Sequence, residues 1–87
     1  MSTVDQIRQR LAELQPQRLE IADDSALHAG HAGAASGGGH YRMTIVSASF
    51  SGLSTLKRHR LVYDALGALM KHEIHAMSIT ALTPEET

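Results

Sequence analysis

Cysteine is missing from this chain, which removes disulfides, thiol chemistry and any thiolate the chain could itself offer a metal. Any soft sulfur ligand must come from a partner. Tryptophan is also absent, and the aromatics are confined to Tyr41, Tyr63 and Phe50, so a core must be built from Leu, Ile, Val, Met and Ala. Excess charge is lacking too. With a formal net charge of −1, the chain has no global field to gather nucleic acid or anionic lipid. No apolar run approaches the roughly 18 residues of a membrane span. Residues 1–10 mix Asp5, Gln6, Arg8 and Arg10 with isolated apolar positions, unlike a signal peptide. Cytoplasmic residence is expected. No Ser–His–acid, paired-carboxylate or nucleotide-loop pattern can be placed, because the glycines at 37–39 lack the lysine and following helix of a phosphate loop. An enzyme is not expected. What the chain has in unusual supply is histidine, six in 87 residues.

A chain of this length forms one domain, 1–87, since a single core this small cannot be subdivided. Val4, Ile7, Leu11 and Leu14 recur on one helical face, with Thr3 and Gln6 fitting a capping box ahead of them and Pro16 ending the helix. Residues 18–22 alternate Leu19 and Ile21 against Glu20, as a short half-buried strand does. Residues 24–39 are rich in Gly, Ala, Ser and His and predict a long flexible loop, a length that inside a compact domain is often functional or disordered. Residues 40–47 predict a second strand, with Tyr41, Met43 and Ile45 on one face. After a turn at Phe50-Ser51-Gly52, residues 54–71 carry Leu56, Leu61, Val62, Ala65, Leu66 and Leu69 in helical period, in one or two pieces and weakened by Gly67. Residues 74–82 predict a third strand, in which His75, Met77, Ile79 and Ala81 share a face. Strands one and two can pair antiparallel, while a helical crossover brings the third in parallel. The order predicts an α+β two-layer sandwich with a three-stranded mixed sheet.

Phe50-Ser51-Gly52, Arg58-His59-Arg60-Leu61-Val62-Tyr63, Ile74-His75-Ala76-Met77-Ser78-Ile79 and Thr83-Pro84-Glu85 closely resemble the signature of BolA proteins. Asp24-Ser25, His28 and His40-Tyr41-Arg42 extend the resemblance upstream, over nearly the whole chain from Leu19. It implies a fold similar to type II KH domains, cytosolic or organellar residence, and pairing with a monothiol glutaredoxin around a shared two-iron, two-sulfur cluster. In such complexes the glutaredoxin and its glutathione supply thiolates. The BolA-like chain supplies a histidine at the start of its last strand and a second ligand, His or Cys, from the loop. Lacking cysteine, this chain resembles the histidine type, with His75 and His28 at the matching positions. The loop holds a second histidine, His31, and either can ligate; His40 matches a histidine often found at the strand start and is a further candidate.

Imidazole is a borderline ligand suited to iron, and replacing two cluster thiolates by histidines raises the reduction potential. Without a thiolate the isolated chain is expected to hold no stable cluster, and alone it is expected to be a monomer or weak homodimer. The resemblance equally implies cluster trafficking or iron and redox sensing, and it keeps open a stress-responsive transcription regulator that binds nucleic acid. For that alternative Lys57, Arg58, His59 and Arg60 form a local basic cluster. Such a cluster can contact phosphate or an acidic partner, or simply be a solvated face. Arg58 and Arg60 cannot share a helical face, so one of them is free to pair with Asp64 or a backbone carbonyl. Between Ser47 and Leu61 only Gly52 is available for a Gly-x-x-Gly clamp, so nucleic-acid binding is expected to be weak.

Overall fold

A computed structural model describes residues 2–24 and 39–87. Helix α1 spans Thr3–Leu11 and runs into a short 3₁₀ turn, Ala12–Leu14. Ser2, not Thr3, caps it, its hydroxyl accepting from the Asp5 amide at 3.1 Å. The chain turns at Gln15 in the left-handed region (φ 50°) before Pro16, so the helix stops ahead of the proline. Strands β1 (Arg18–Asp23) and β2 (Gly39–Val46) follow, then a 3₁₀ turn at Ala48–Phe50.

Helix α2, Thr55–Leu66, begins at the Ser54 cap and ends at Gly67, whose φ of 55° an L-residue adopts only under strain. Gly67 thereby divides the predicted helical stretch, and the short α3, Leu69–His72, leads into β3, Ile74–Leu82. The sheet order is β1-β2-β3, with β1 antiparallel and β3 parallel to the central β2.

Burial follows the sequence period. Tyr41, Met43 and Ile45 point from β2 onto Ile7 and Leu11 of α1, Phe50, and Val62 and Leu66 of α2. Leu19 and Ile21 from β1 and Met77, Ile79 and Ala81 from β3 extend this floor. Burying one such aliphatic or aromatic side chain contributes about 1.5–3 kcal/mol. The helices thus cover one face, leaving Glu20, Arg42, Ser78 and Thr80 on the other, where they are exposed. Ser47 is 1% exposed at the end of β2; its hydroxyl donates to the Leu14 carbonyl at 2.6 Å and accepts from Ser49 N at 3.1 Å, tying the end of α1 to the β2 exit.

One departure matters for function. The parallel register pairs Gly39 with Ile74 but His40 with Ala76, so His75 is an extra residue without a counterpart. This bulge lets both Ile74 and Met77 face the core although they are three apart, and it turns His75 out of the Met77, Ile79 and Ala81 face to which simple alternation assigned it.

Candidate functional site: the histidine pair at the strand starts

Because β2 and β3 run parallel, their first residues lie side by side. The bulge re-aims the exposed His75 toward the half-buried His40, and the two imidazole ring centroids are 5.0 Å apart at an interplanar angle of 45°. The strand starts are held together by the Gly39 amide, which donates to the Glu73 carbonyl at 2.9 Å. Gly39 is required there for space: a Cβ at this position would lie 2.6 Å from Cζ of Tyr41, whose buried ring covers it.

On the other side of His40 the loop is anchored. The Asp24 amide donates to the His40 carbonyl at 2.7 Å, and Arg42 grips the Asp24 carboxylate through Nε at 2.5 Å and through its second nitrogen at 3.3 Å. That hydrogen bond, with the attraction of the carboxylate, raises the Arg42 pKa above the ordinary guanidinium value. The segment carrying His28 and His31 therefore leaves at Asp24 and returns at Gly39, both adjacent to His40. His28 and His31 themselves lie outside the described residues. A shallow cleft of about 310 Å³, lined by Asp24, His40, Tyr41, Arg42, Ala76, Met77 and Ser78, runs from His40 onto the open sheet face.

Of the sequence-nominated ligands, the described residues thus join His75 with His40, the minor candidate. The signal for His40 was its place at the start of the strand parallel to the one His75 begins; the register that makes them neighbours is a tertiary property. Among the described residues no group of three or more His, Cys, Asp or Glu comes together. Two imidazoles without a thiolate make an incomplete site, suited to a metal centre whose remaining ligands come from elsewhere.

The basic cluster on α2 separates into different roles. Arg58 turns inward, its side chain only 13% exposed. Its Nε donates to the Leu53 carbonyl at 2.9 Å, one terminal nitrogen to the Ala81 carbonyl at 3.0 Å, and both terminal nitrogens to Glu86 at 2.6 and 3.2 Å. Glu86 also accepts from the Thr83 amide at 2.7 Å. Arg58, first of these causes, and Thr83 hold the Glu86 carboxyl well below its usual range, at about 2. Arg58 is thus the clasp between the start of α2, the end of β3 and the C-terminal turn Pro84–Glu86. Lys57 and Arg60 are exposed and His59 half-buried. His72 is exposed at the end of α3.

Comparison with known proteins agrees with this architecture. The BolA-like protein family model matches residues 11–86. SufE-like protein 1, chloroplastic/mitochondrial, of Arabidopsis thaliana is 46% identical over 92% of this chain, which spans 23% of that protein. BolA-like protein 1 of Mus musculus is 41% identical over 92% of this chain and 57% of its own length. The DNA-binding transcriptional regulator BolA of Haemophilus influenzae is 37% identical, covering 99% of this chain and 82% of its own. Among solved structures, the BolA domain of SufE1 from Arabidopsis thaliana superposes with a TM-score of 0.84 at 43% identity, over 100% of this chain and 99% of that one. The chain spans about half or less of the first two curated relatives, and among its own described residues no helix is long and apolar enough to cross a membrane. With the family model spanning all but the first ten residues and the final one, the chain belongs to the BolA-like protein family.

Proposed function

We propose that this chain is a non-enzymatic adaptor that pairs with a monothiol glutaredoxin to hold a shared two-iron, two-sulfur cluster, in cluster trafficking or in iron and redox sensing. The observation that carries it is the convergence of His40 and His75, 5.0 Å between ring centroids, at a bulge that keeps Ile74 and Met77 on the core while turning His75 outward. Bulges are often placed where a side chain must be re-aimed. The donor set fits a cluster only in part: the chain offers imidazole nitrogen, and the partner with its glutathione would supply the thiolates.

His75 is the principal ligand, with the second nitrogen coming from His40 or from the loop. Chain geometry permits both sources. From Asp24 an extended chain reaches about 14 Å to His28 and about 25 Å to His31. Neutral imidazole is the ligating form, so cluster capture weakens as the medium becomes mildly acidic. The test is to mix the chain with a cluster-loaded monothiol glutaredoxin and follow visible absorption and circular dichroism. New, stoichiometric bands are expected; a spectrum identical to that of the glutaredoxin alone refutes the proposal.

A second reading, nucleic-acid binding, draws on the name of the Haemophilus influenzae relative. The inward turn of Arg58 leaves Lys57 and Arg60 as the exposed cations of the cluster. Two phosphate contacts give a salt slope of only about −1.8 in log K against log salt. Binding by the free chain is therefore weak and salt-sensitive, and a duplex titration at two salt concentrations decides between the readings.

A further inference from the structure

We infer that the outer face of α2 is a second docking surface, distinct from the histidine pair, for an acidic amphipathic helix of a partner protein. Leu56, Arg60 and Tyr63 recur at spacings of four and three and so form one row along the solvent side of the helix. Leu56 is 61% and Tyr63 40% exposed, the large apolar side chains left outside the core among the described residues. Arg60 stands between Leu56 and Tyr63 along that row and Lys57 lies on the same side of it, and among the described residues neither cation has an ion-pair partner. Lys57 sits in the first turn of α2, where the helix dipole opposes positive charge, and Arg60 stands one turn further on. Unlike Arg58, they gain no internal contact that offsets this cost.

The chemistry of the face selects its occupant. Exposed apolar side chains bordered on one side by two cations are matched by an apolar stripe bordered on one side by carboxylates, and tyrosine and arginine are the residue types that anchor protein interfaces. Phosphate would satisfy Lys57 and Arg60 but leave Leu56 facing a polyanion. A helix with one apolar stripe edged by Glu along one side meets all four side chains at once. The surface is also remote from the histidines. Arg58 fastens this end of α2 to Ala81, six residues along β3 from His75, or about 20 Å at strand rise. Both sites can then be occupied together, as an adaptor requires.

The test is an amide NMR titration of the full chain with a synthetic helical peptide bearing a leucine stripe edged by glutamates along one side. A charge-swapped lysine version and a short DNA duplex serve as competitors at physiological salt. Resonances of Leu56, Lys57, Arg60 and Tyr63 are expected to shift while those of His40 and His75 stay in place. Affinity is expected to fall about tenfold in the Lys57→Glu/Arg60→Glu variant and in Leu56→Ser. The neutral Lys57→Gln/Arg60→Gln variant should fall between the wild type and the reversal. Absence of α2 shifts, equal affinity for the lysine peptide, or tighter duplex binding on the same residues would overturn the inference. The glutaredoxin spectra with the same variants stay unchanged if the two sites are separate; their loss would overturn it as well.

Discussion

Replacing Arg58 by alanine tests whether the most buried cation of the basic cluster is structural. The side chain donates to two main-chain carbonyls, Leu53 at 2.9 Å and Ala81 at 3.0 Å, in a part-buried setting. Hydrogen bonds from charged groups contribute about 1.5–3 kcal/mol each when buried. Water can reach these carbonyls once the guanidinium is gone, so a combined loss of about 2 kcal/mol is the appropriate scale. That is a large share of the roughly 4–13 kcal/mol expected for a domain of this length. It translates into a fall in Tm of roughly 8–16 °C, or a urea midpoint lower by about 2 M if m is about 1 kcal/mol/M. Arg58→Lys should fall between, since an ammonium cannot span the three acceptors that the planar fork spans. Arg60→Ala, on the exposed face, should stay within about 0.5 kcal/mol of wild type. Urea unfolding of the three variants under identical conditions is the assay. If Arg58→Ala and Arg60→Ala unfold at the same midpoint, the clasp does not hold the fold together.

Because Arg58 and Thr83 lower the folded-state pKa of Glu86 to about 2, the carboxylate's stabilising contribution is present above its ordinary pKa and is lost as pH falls through about 2. Wild type minus Glu86→Gln stability, measured by urea unfolding, should therefore be constant near neutrality and shrink on acidification through that window; a difference independent of pH counts against it. His75→Ala should alter the spectrum of the mixed glutaredoxin complex most. His40→Ala and the His28→Ala/His31→Ala pair should each have a smaller effect, and an unchanged His75→Ala spectrum would exclude the ligand set. Anaerobic reconstitution of the isolated chain should yield no stable cluster, and a stoichiometric one would contradict the partner-dependent scheme. Gly39→Ala should displace the Tyr41 ring and cost about 1–3 kcal/mol, read as a lower Tm; full stability would show that the ring can yield.

Much of the architecture is written in local periodicity. The four-residue and three-residue spacing of Ile7, Leu11 and Leu14, the alternation of Tyr41, Met43 and Ile45, and Gly67 as the break between α2 and α3 follow from helix and strand geometry alone. So do the element order and the parallel crossover. The capping box read at Thr3 and Gln6 is one residue off, since Ser2 and Thr3 are both good capping residues and only the backbone conformation selects Ser2. Leu56 fits the helical period yet faces solvent, because period assigns a face but not what covers it.

The absence of cysteine and the histidines at 28, 31, 40 and 75 set by themselves the chemistry available to the chain: imidazole ligands and no thiolate. Which imidazoles meet was decided by tertiary structure. Strict alternation placed His75 with the core-facing residues, and only a bulge in a parallel pairing, a long-range choice between strands 35 residues apart, turns it toward His40. The fate of Arg58 was settled in the same way. Lys57 and Arg60, close to it in sequence, are basic and exposed, but its acceptors at Ala81 and Glu86 lie 23 and 28 residues away, and no local pattern encodes that distance.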